Sequence, residues 1–292
     1  MLHIEKLTFD IGRGAHATRI LRGVSLAVAP GEVVGLVGES GAGKSMIGRI
    51  VRGEAPRRAR VVAGRVRFFE TDLLAIADRR RRALLGRDIA LIPQDPMTAL
   101  NPVLRIEAQM TDVMRLHTAL GRAAARARAR ALLEAVHIAA PDRVLRQYPH
   151  ELSGGMRQRV LIAIAFACTP KLIIADEPTT ALDVTVQRQV LRLVRDMQRE
   201  TGAGVLFITH DLGVVAKLCD RVVVLHAGRV VETGGIRDVI ERPGHPYTRA
   251  LLAATPRYDR PAEALVPVPA ALNAQLWAEA RAGDRSAADR SA

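Results

Sequence analysis

Eight consecutive residues, Gly38-Glu39-Ser40-Gly41-Ala42-Gly43-Lys44-Ser45, carry the clearest chemistry in the chain. They fit G-x-x-x-x-G-K-[ST] and lie between a short apolar run, Glu32 to Val37, and a helical stretch from about Lys44 to Val51. Glycines let backbone N–H groups turn inward around phosphate oxygens, and the start of a helix adds positive potential. Lys44 is placed to reach the β- and γ-phosphates, and the Ser45 hydroxyl to ligate Mg²⁺. The pattern predicts binding of a nucleoside triphosphate.

A second candidate is Asp176-Glu177, delivered at the end of the apolar run Leu172-Ile173-Ile174-Ala175. In an open α/β sheet, ligands bind at the C-terminal ends of the strands. Asp176 there holds Mg²⁺, directly or through water, and Glu177 orients and polarises an attacking water. Acids also favour helix starts, so the same pair reads equally as a helix cap until the phosphate loop is considered with it. His210 ends another apolar run, Phe207-Ile208-Thr209, and either reaches a γ-phosphate or plays a structural part.

The elements that must position these residues follow from periodicity. Leu2 to Phe9 and Ile20 to Val28 alternate as strands do, with Pro30-Gly31 as the turn after them. Gly64 to Glu70 and Asp88 to Ile92 also read as strands, and Lys171 to Ala175, Gly204 to Thr209 and Arg221 to Leu225 as buried ones. Between them, about 94–168 is helical in pattern. Strands and helices thus alternate on both sides of a helical block, which predicts a mostly parallel α/β core carrying a helical insertion. Beyond Tyr258 the chain turns Pro/Ala-rich, and Glu279 to Ala292 is expected to be a disordered end.

Composition narrows the class. With 292 residues, 49% hydrophobic and 25% charged, the chain can bury a real core. Its longest apolar run, Val160 to Cys168, is about half of a membrane span. No apolar leader opens the sequence, so a cytosolic chain is expected. The net charge of +13 is almost all arginine, since Lys6, Lys44, Lys171 and Lys217 are the only lysines. Such charge invites a nucleic-acid or anionic-membrane reading, yet aromatics for base stacking are 3%. Cys168 and Cys219 match no metal spacing and are expected to pack as small hydrophobes.

Leu152-Ser153-Gly154-Gly155-Met156-Arg157-Gln158-Arg159 completes a recognisable set. With the phosphate loop, Gln94, Asp176-Glu177, Ala181-Leu182-Asp183 and His210, in that family's order, residues 1–258 resemble the ATP-binding subunit of an ABC transporter. The resemblance implies an ABC ATPase core of the P-loop NTPase fold. It adds an N-terminal antiparallel β subdomain and a helical subdomain at about 94–168; residues 259–292, outside the resemblance, are by composition a C-terminal extension, partly disordered. It implies ATP hydrolysis with Mg²⁺ held by Ser45, Gln94 and Asp176, and with Glu177 and His210 catalytic. It further implies a head-to-tail dimer of ATPase domains. Ser153, Gly154 and Gly155 would then contact the γ-phosphate bound by the other subunit, Asp183 would link the two sites, and Gln94 would lead to a membrane partner.

A finer resemblance is to the peptide and nickel importer subfamily. It rests on Gln94-Asp95-Pro96-Met97-Thr98-Ala99-Leu100-Asn101-Pro102, Tyr148-Pro149-His150-Glu151 and Arg242-Pro243-Gly244-His245-Pro246-Tyr247-Thr248-Arg249-Ala250-Leu251-Leu252. It implies two permeases, a second and different ATPase subunit, an extracytoplasmic solute-binding protein, and attachment to the cytoplasmic face of the inner membrane. Peptide is the favoured solute and nickel the runner-up. Two features depart from the family. Between Ile11 and Arg19 the only ring is His16, so adenine is left to His16 or to the Arg19 guanidinium. No cysteine follows Cys219, so no iron–sulfur cluster is expected. The alternative is a soluble ABC-type ATPase acting on nucleic acid or in a metabolic complex.

Overall fold

The computed structural model describes residues 1–12, 14–180, 183–255 and 266–289. The chain opens with β1 (Leu2–Ile11), β2 (Thr18–Val28), β3 (Val33–Val37), α1 (Lys44–Arg52), β4 (Ala59–Phe68) and β5 (Thr71–Asp72). A helix-rich stretch follows: α2 (Asp78–Leu84), β6 (Ile89–Ile92), α3 (Pro96–Ala99), α4 (Ile106–His117), α5 (Arg122–Ala135), α6 (Pro141–Arg146), α7 (Gly154–Phe166), β7 (Leu172–Asp176) and α8 (Val184–Thr201). The last part holds β8 (Gly204–Thr209), α9 (Leu212–Leu218), β9 (Arg221–His226), β10 (Arg229–Gly235), α10 (Ile236–Glu241), α11 (Pro246–Ala253) and α12 (Ala270–Asp289).

Two compact units result. The first takes Met1–Ala29, Val33–Ile76 and Phe207–Ala292; the second takes Pro30–Glu32 and Ala77–Leu206. In the first, β1 pairs antiparallel with β2 and with β4, Leu2 facing Val28 on one side and Phe68 on the other. Leu2, Ile4, Leu7 and Phe9 are buried while Glu5 and Lys6 are exposed, the near-alternation of a sheet with one covered face. In the same unit β3 runs parallel to β9, and β10 closes antiparallel on β9. All five residues of β3 are buried, which is why its sequence reads as one apolar run. β4 begins at Ala59, earlier than alternation predicts, because Ala59 to Ala63 pair with Ile11 to Thr8.

The expected disordered end is corrected by α12, which is helical as far as Asp289; residues 290–292 lie outside the described residues. Its hold on the first unit is side-chain chemistry rather than apolar periodicity. Arg22 Nε donates to Asp284 Oδ2 at 2.9 Å, its guanidinium lies 5.7 Å from the centre of the Trp277 ring, and Arg229 donates to the Ala280 carbonyl at 3.2 Å. Residues 256–265, where the domain boundary was expected, also lie outside the described residues.

In the second unit β6 and β7 pair in parallel, with Ile92 beside Ala175. α7 is buried through Val160, Leu161, Ile162, Ala163, Ala165 and Phe166, so its sequence shows no polar face over that stretch. α8 is amphipathic, burying Val190, Leu191, Leu193, Val194 and Met197. Three arginines of the arginine-rich helices are paired with nearby carboxylates. Arg81 pairs with Asp78, Arg126 with Glu107 and Asp142, and Arg130 with Glu134 and Asp142.

Candidate nucleotide site

The phosphate loop lies in the first unit, between buried β3 and α1. Two of its glycines are required by space and backbone geometry. A Cβ on Gly38 would stand 2.1 Å from the Leu225 carbonyl oxygen, a backbone atom that cannot swing aside. Gly43 precedes α1 at φ 102°, where L side chains are strained, and a Cβ there would meet Leu21 at 2.8 Å. Helix α1 then opens at Lys44, anchored by buried Ile47, Ile50 and Val51. Lys44 is itself 4% exposed, and its Nζ donates to the carbonyls of Gly38 at 2.7 Å and Glu39 at 2.9 Å. The ammonium is therefore centred on the loop that phosphates would enter. Ser45 follows it in the first turn of α1.

The acidic pair lies in the second unit at the end of β7, whose first four residues are buried. Parallel pairing explains what stands beside it. Ile92 faces Ala175, so two residues further on the backbone brings Gln94 alongside Glu177. Gln94 Nε2 donates to Glu177 Oε2 at 3.3 Å, and Thr180 Oγ1 donates to the same oxygen at 3.0 Å. Glu177 adopts φ 47°, a left-handed conformation rare for a side chain of its type and often found at working sites. Just beyond it, the fully buried Gln158 of α7 donates to the Pro178 carbonyl at 2.8 Å. Helix α7 thus pins the turn that carries the acids.

Ser153 caps α7, its Oγ accepting from Met156 N at 3.3 Å, and exposed Gly154 and half-buried Gly155 open its first turn. Neither glycine has a positive φ. A Cβ on Gly154 would meet nothing within 4 Å, and one on Gly155 would make only ordinary contact with Val186. The chain's own packing does not demand glycine at either place. Asp183 caps α8, its Oδ1 accepting from Thr185 N at 3.0 Å and Val186 N at 2.9 Å; Ala181 and Leu182 before it lie outside the described residues.

In the first unit, His210 is exposed at the end of β8, and Asp211 next to it caps α9. Asp176, half-buried, ends β7 in the second unit. Of the two adenine candidates, Arg19 is committed elsewhere, since its guanidinium bonds Asp10 at 2.9 and 3.3 Å and Asp284 at 3.4 Å. His16 stands exposed in a single helical turn, Gly14–His16. Cys168 and Cys219 are buried, and burial pushes the Cys168 thiol above its ordinary pKa.

Residues 21–180 match the family model described as ABC transporter. The chain belongs to the ABC transporter family. Residues 231–277 of this ABC protein also match a second model, Oligopeptide/dipeptide transporter, C-terminal region. Among curated relatives it is 50% identical to a probable D,D-dipeptide transport ATP-binding protein of Escherichia coli, over 85% of this chain and 76% of that one. It is 49% identical to a probable peptide ABC transporter ATP-binding protein of Sinorhizobium fredii, over 86% and 75%. With the dipeptide transport ATP-binding protein of Bacillus subtilis it shares 44% identity over 92% and 80%. Among solved structures, a dimeric ATP-binding cassette in a post-hydrolysis state, bound to ADP and Pi, superposes with a TM-score of 0.71 at 27% identity, over 81% of this chain and 99% of that one. The fold is that of an ABC ATPase cassette, α/β with an antiparallel N-terminal sheet and a mixed, mostly parallel one.

Two features escaped sequence reasoning. The contact of Gln94 with Glu177 needs the β6–β7 register, which no local signal contains. The bonds from Tyr247 and Asn273 to Glu39 join residues 208 and 234 positions apart, although the motif containing Tyr247 is visible in the sequence.

Proposed function

We propose that this ABC ATPase is the ATP-hydrolysing subunit of an importer for peptides. The observation that carries the reading is the presence, in one chain, of a complete ATPase motif set and a 231–277 segment matching the oligopeptide/dipeptide transporter C-terminal region. The relatives named above are peptide transporters by name, and none of those names refers to nickel or nucleic acid. Arg81, Arg126 and Arg130, within the arginine clusters, are already paired with carboxylates.

In this reading the loop 38–45 wraps the triphosphate, with Lys44 on the β- and γ-phosphates. Ser45, Gln94 and Asp176 offer hydroxyl, amide and carboxylate oxygens, a hard donor set that fits Mg²⁺. Mg²⁺, when bound, neutralises charge on the phosphate oxygens. Gln94 gives its N–H to Glu177, which leaves its carbonyl as the atom to face a cation. Glu177 orients and polarises the attacking water, and His210 contacts the γ-phosphate.

The second ATP site is shared with a neighbouring ATPase subunit. Ser153, Gly154 and Gly155 present N–H groups and a helix N-terminus to the γ-phosphate held by that subunit. Close approach of an outside group accounts for glycines that the chain's own packing does not require. Asp183 links the two sites. Adenine falls to His16, because Arg19 is already paired. ATP favours the closed dimer, hydrolysis reopens it, and Gln94 passes the motion to two permeases.

No helix among the described residues is long and apolar enough to cross a membrane. The permeases, supplied by other chains, would therefore hold this subunit at the cytoplasmic face, with a solute-binding protein on the far side. The test is capture: a tagged Glu177→Gln chain, trapped with ATP in detergent-solubilised source cells. Two permeases and a second ATPase are expected to co-purify. Nucleic acid or soluble enzymes alone would refute the importer.

A further inference from the structure

The His245-Pro246-Tyr247 stretch marks the family but has no part in the nucleotide chemistry above, yet the structure joins it to the phosphate loop. Tyr247 is fully buried, and its hydroxyl accepts from Glu39 N at 3.0 Å and lies 3.5 Å from Glu39 Oε2, to which it donates. Asn273 of α12 donates its Nδ2 to the same Oε2 at 3.0 Å. His226 Nε2 stands 2.5 Å from Asn273 Oδ1, which turns the amide so that its N–H points at Glu39. The His226 ring packs edge-on against Tyr247 at 4.4 Å between centres.

Both helices are themselves fastened. The Glu232 carboxylate on β10 accepts from Gly244 N at 2.7 Å and His245 N at 3.0 Å, which fixes the entry to α11. Asp284 ties α12 to Arg22 and Arg19. Burial also pushes the Tyr247 phenol well above its ordinary pKa, so it remains an O–H donor at any working pH.

Glu39 is an unusual neighbour for an anion, because a carboxylate at the mouth of a phosphate loop repels a triphosphate. We propose that Tyr247 and Asn273 are positioning residues for the phosphate loop: they hold the Glu39 carboxylate against α11 and α12, so that it does not turn toward the triphosphate. The C-terminal segment 231–277 then serves the nucleotide site as well as marking a subfamily. This inference rests on the reading of 38–45 as an ATP loop.

The test is Mg-ATP titration of the purified full-length chain by calorimetry, with steady-state hydrolysis alongside and a thermal melt of each variant. Tyr247→Phe and Asn273→Ala are each expected to weaken ATP binding about three- to tenfold, raising KM while leaving kcat near its original value. In a Glu39→Gln background, where no charge is left to restrain, the same changes should weaken it less than about twofold. Asn273 is half-exposed, so its replacement keeps the test valid if Tyr247→Phe melts early. Equal loss in both backgrounds, or unchanged affinity in both single variants, would overturn the proposal. Failure of the unmodified chain to bind ATP is a different result, and would remove the nucleotide reading itself.

Discussion

Replacing Glu177 with glutamine removes one negative charge and little else. Thr180 Oγ1 and Gln94 Nε2 both donate to the same carboxylate oxygen, at 3.0 and 3.3 Å. A carboxamide oxygen has two lone pairs and accepts both bonds. The left-handed backbone at residue 177 is no harder for glutamine than for glutamate. Fold and ATP affinity should therefore survive, while the group that polarises the attacking water is lost. General-base catalysis contributes about 10²- to 10⁴-fold, or roughly 2.7–5.4 kcal/mol of barrier, and turnover should fall by that factor. Phosphate release measured under single-turnover conditions, on the chain with its co-purified partners, reads the rate; ATP titration reads the binding. Turnover within about threefold of the original would refute the catalytic role, since no base of consequence costs so little. Loss of ATP affinity together with the rate would refute the claim that the charge acts only on the water.

Three further outcomes follow from the same geometry. Lys44→Ala removes a buried ammonium that bridges two loop carbonyls, and should weaken ATP binding by about tenfold or more in the same titration. Gly38→Ala drives a Cβ to 2.1 Å from the Leu225 carbonyl, and should cost about 2–4 kcal/mol in urea denaturation, with ATP binding lost in the folded fraction. Burial raises the Glu232 carboxyl, but Thr248 and the N–H groups of Gly244 and His245 more than offset this and hold its pKa below the ordinary carboxylate range. A depressed carboxylate stabilises the fold above its unfolded pKa and loses that contribution as pH falls through its folded one. The stability gap between the chain and its Glu232→Gln variant should thus be full at neutral pH and close below about pH 4.5, as denaturation series across that range will measure.

Local signals carried most of the site and little of its connections. The phosphate loop is legible because each requirement is local: apolar β3 before it, glycines where a Cβ has no room, and a lysine opening α1. Asp176-Glu177 and Ser153 are legible for the same reason, as residues at the ends of elements. Gln94 is visible as part of a family resemblance, but its bond to Glu177 follows from a register shared by β6 and β7, which lie far apart in sequence. The choice between His16 and Arg19 could not be made from the chain alone, because Asp284, which helps occupy Arg19, is 265 residues away. From Glu279 onward the sequence reads as disorder, although α12 continues to Asp289, because that stretch is poor in large apolar residues. A single tryptophan, one aspartate and Asn273 do the anchoring, and no periodicity announces them.

The central claim is that ATP hydrolysis on this chain drives peptide across a membrane. The most direct measurement is uptake of labelled dipeptide into proteoliposomes holding this chain with its co-purified permeases and second ATPase, plus the solute-binding protein. Accumulation that requires ATP and disappears with Glu177→Gln is the predicted result. Vigorous ATP hydrolysis with no movement of any peptide would contradict the account.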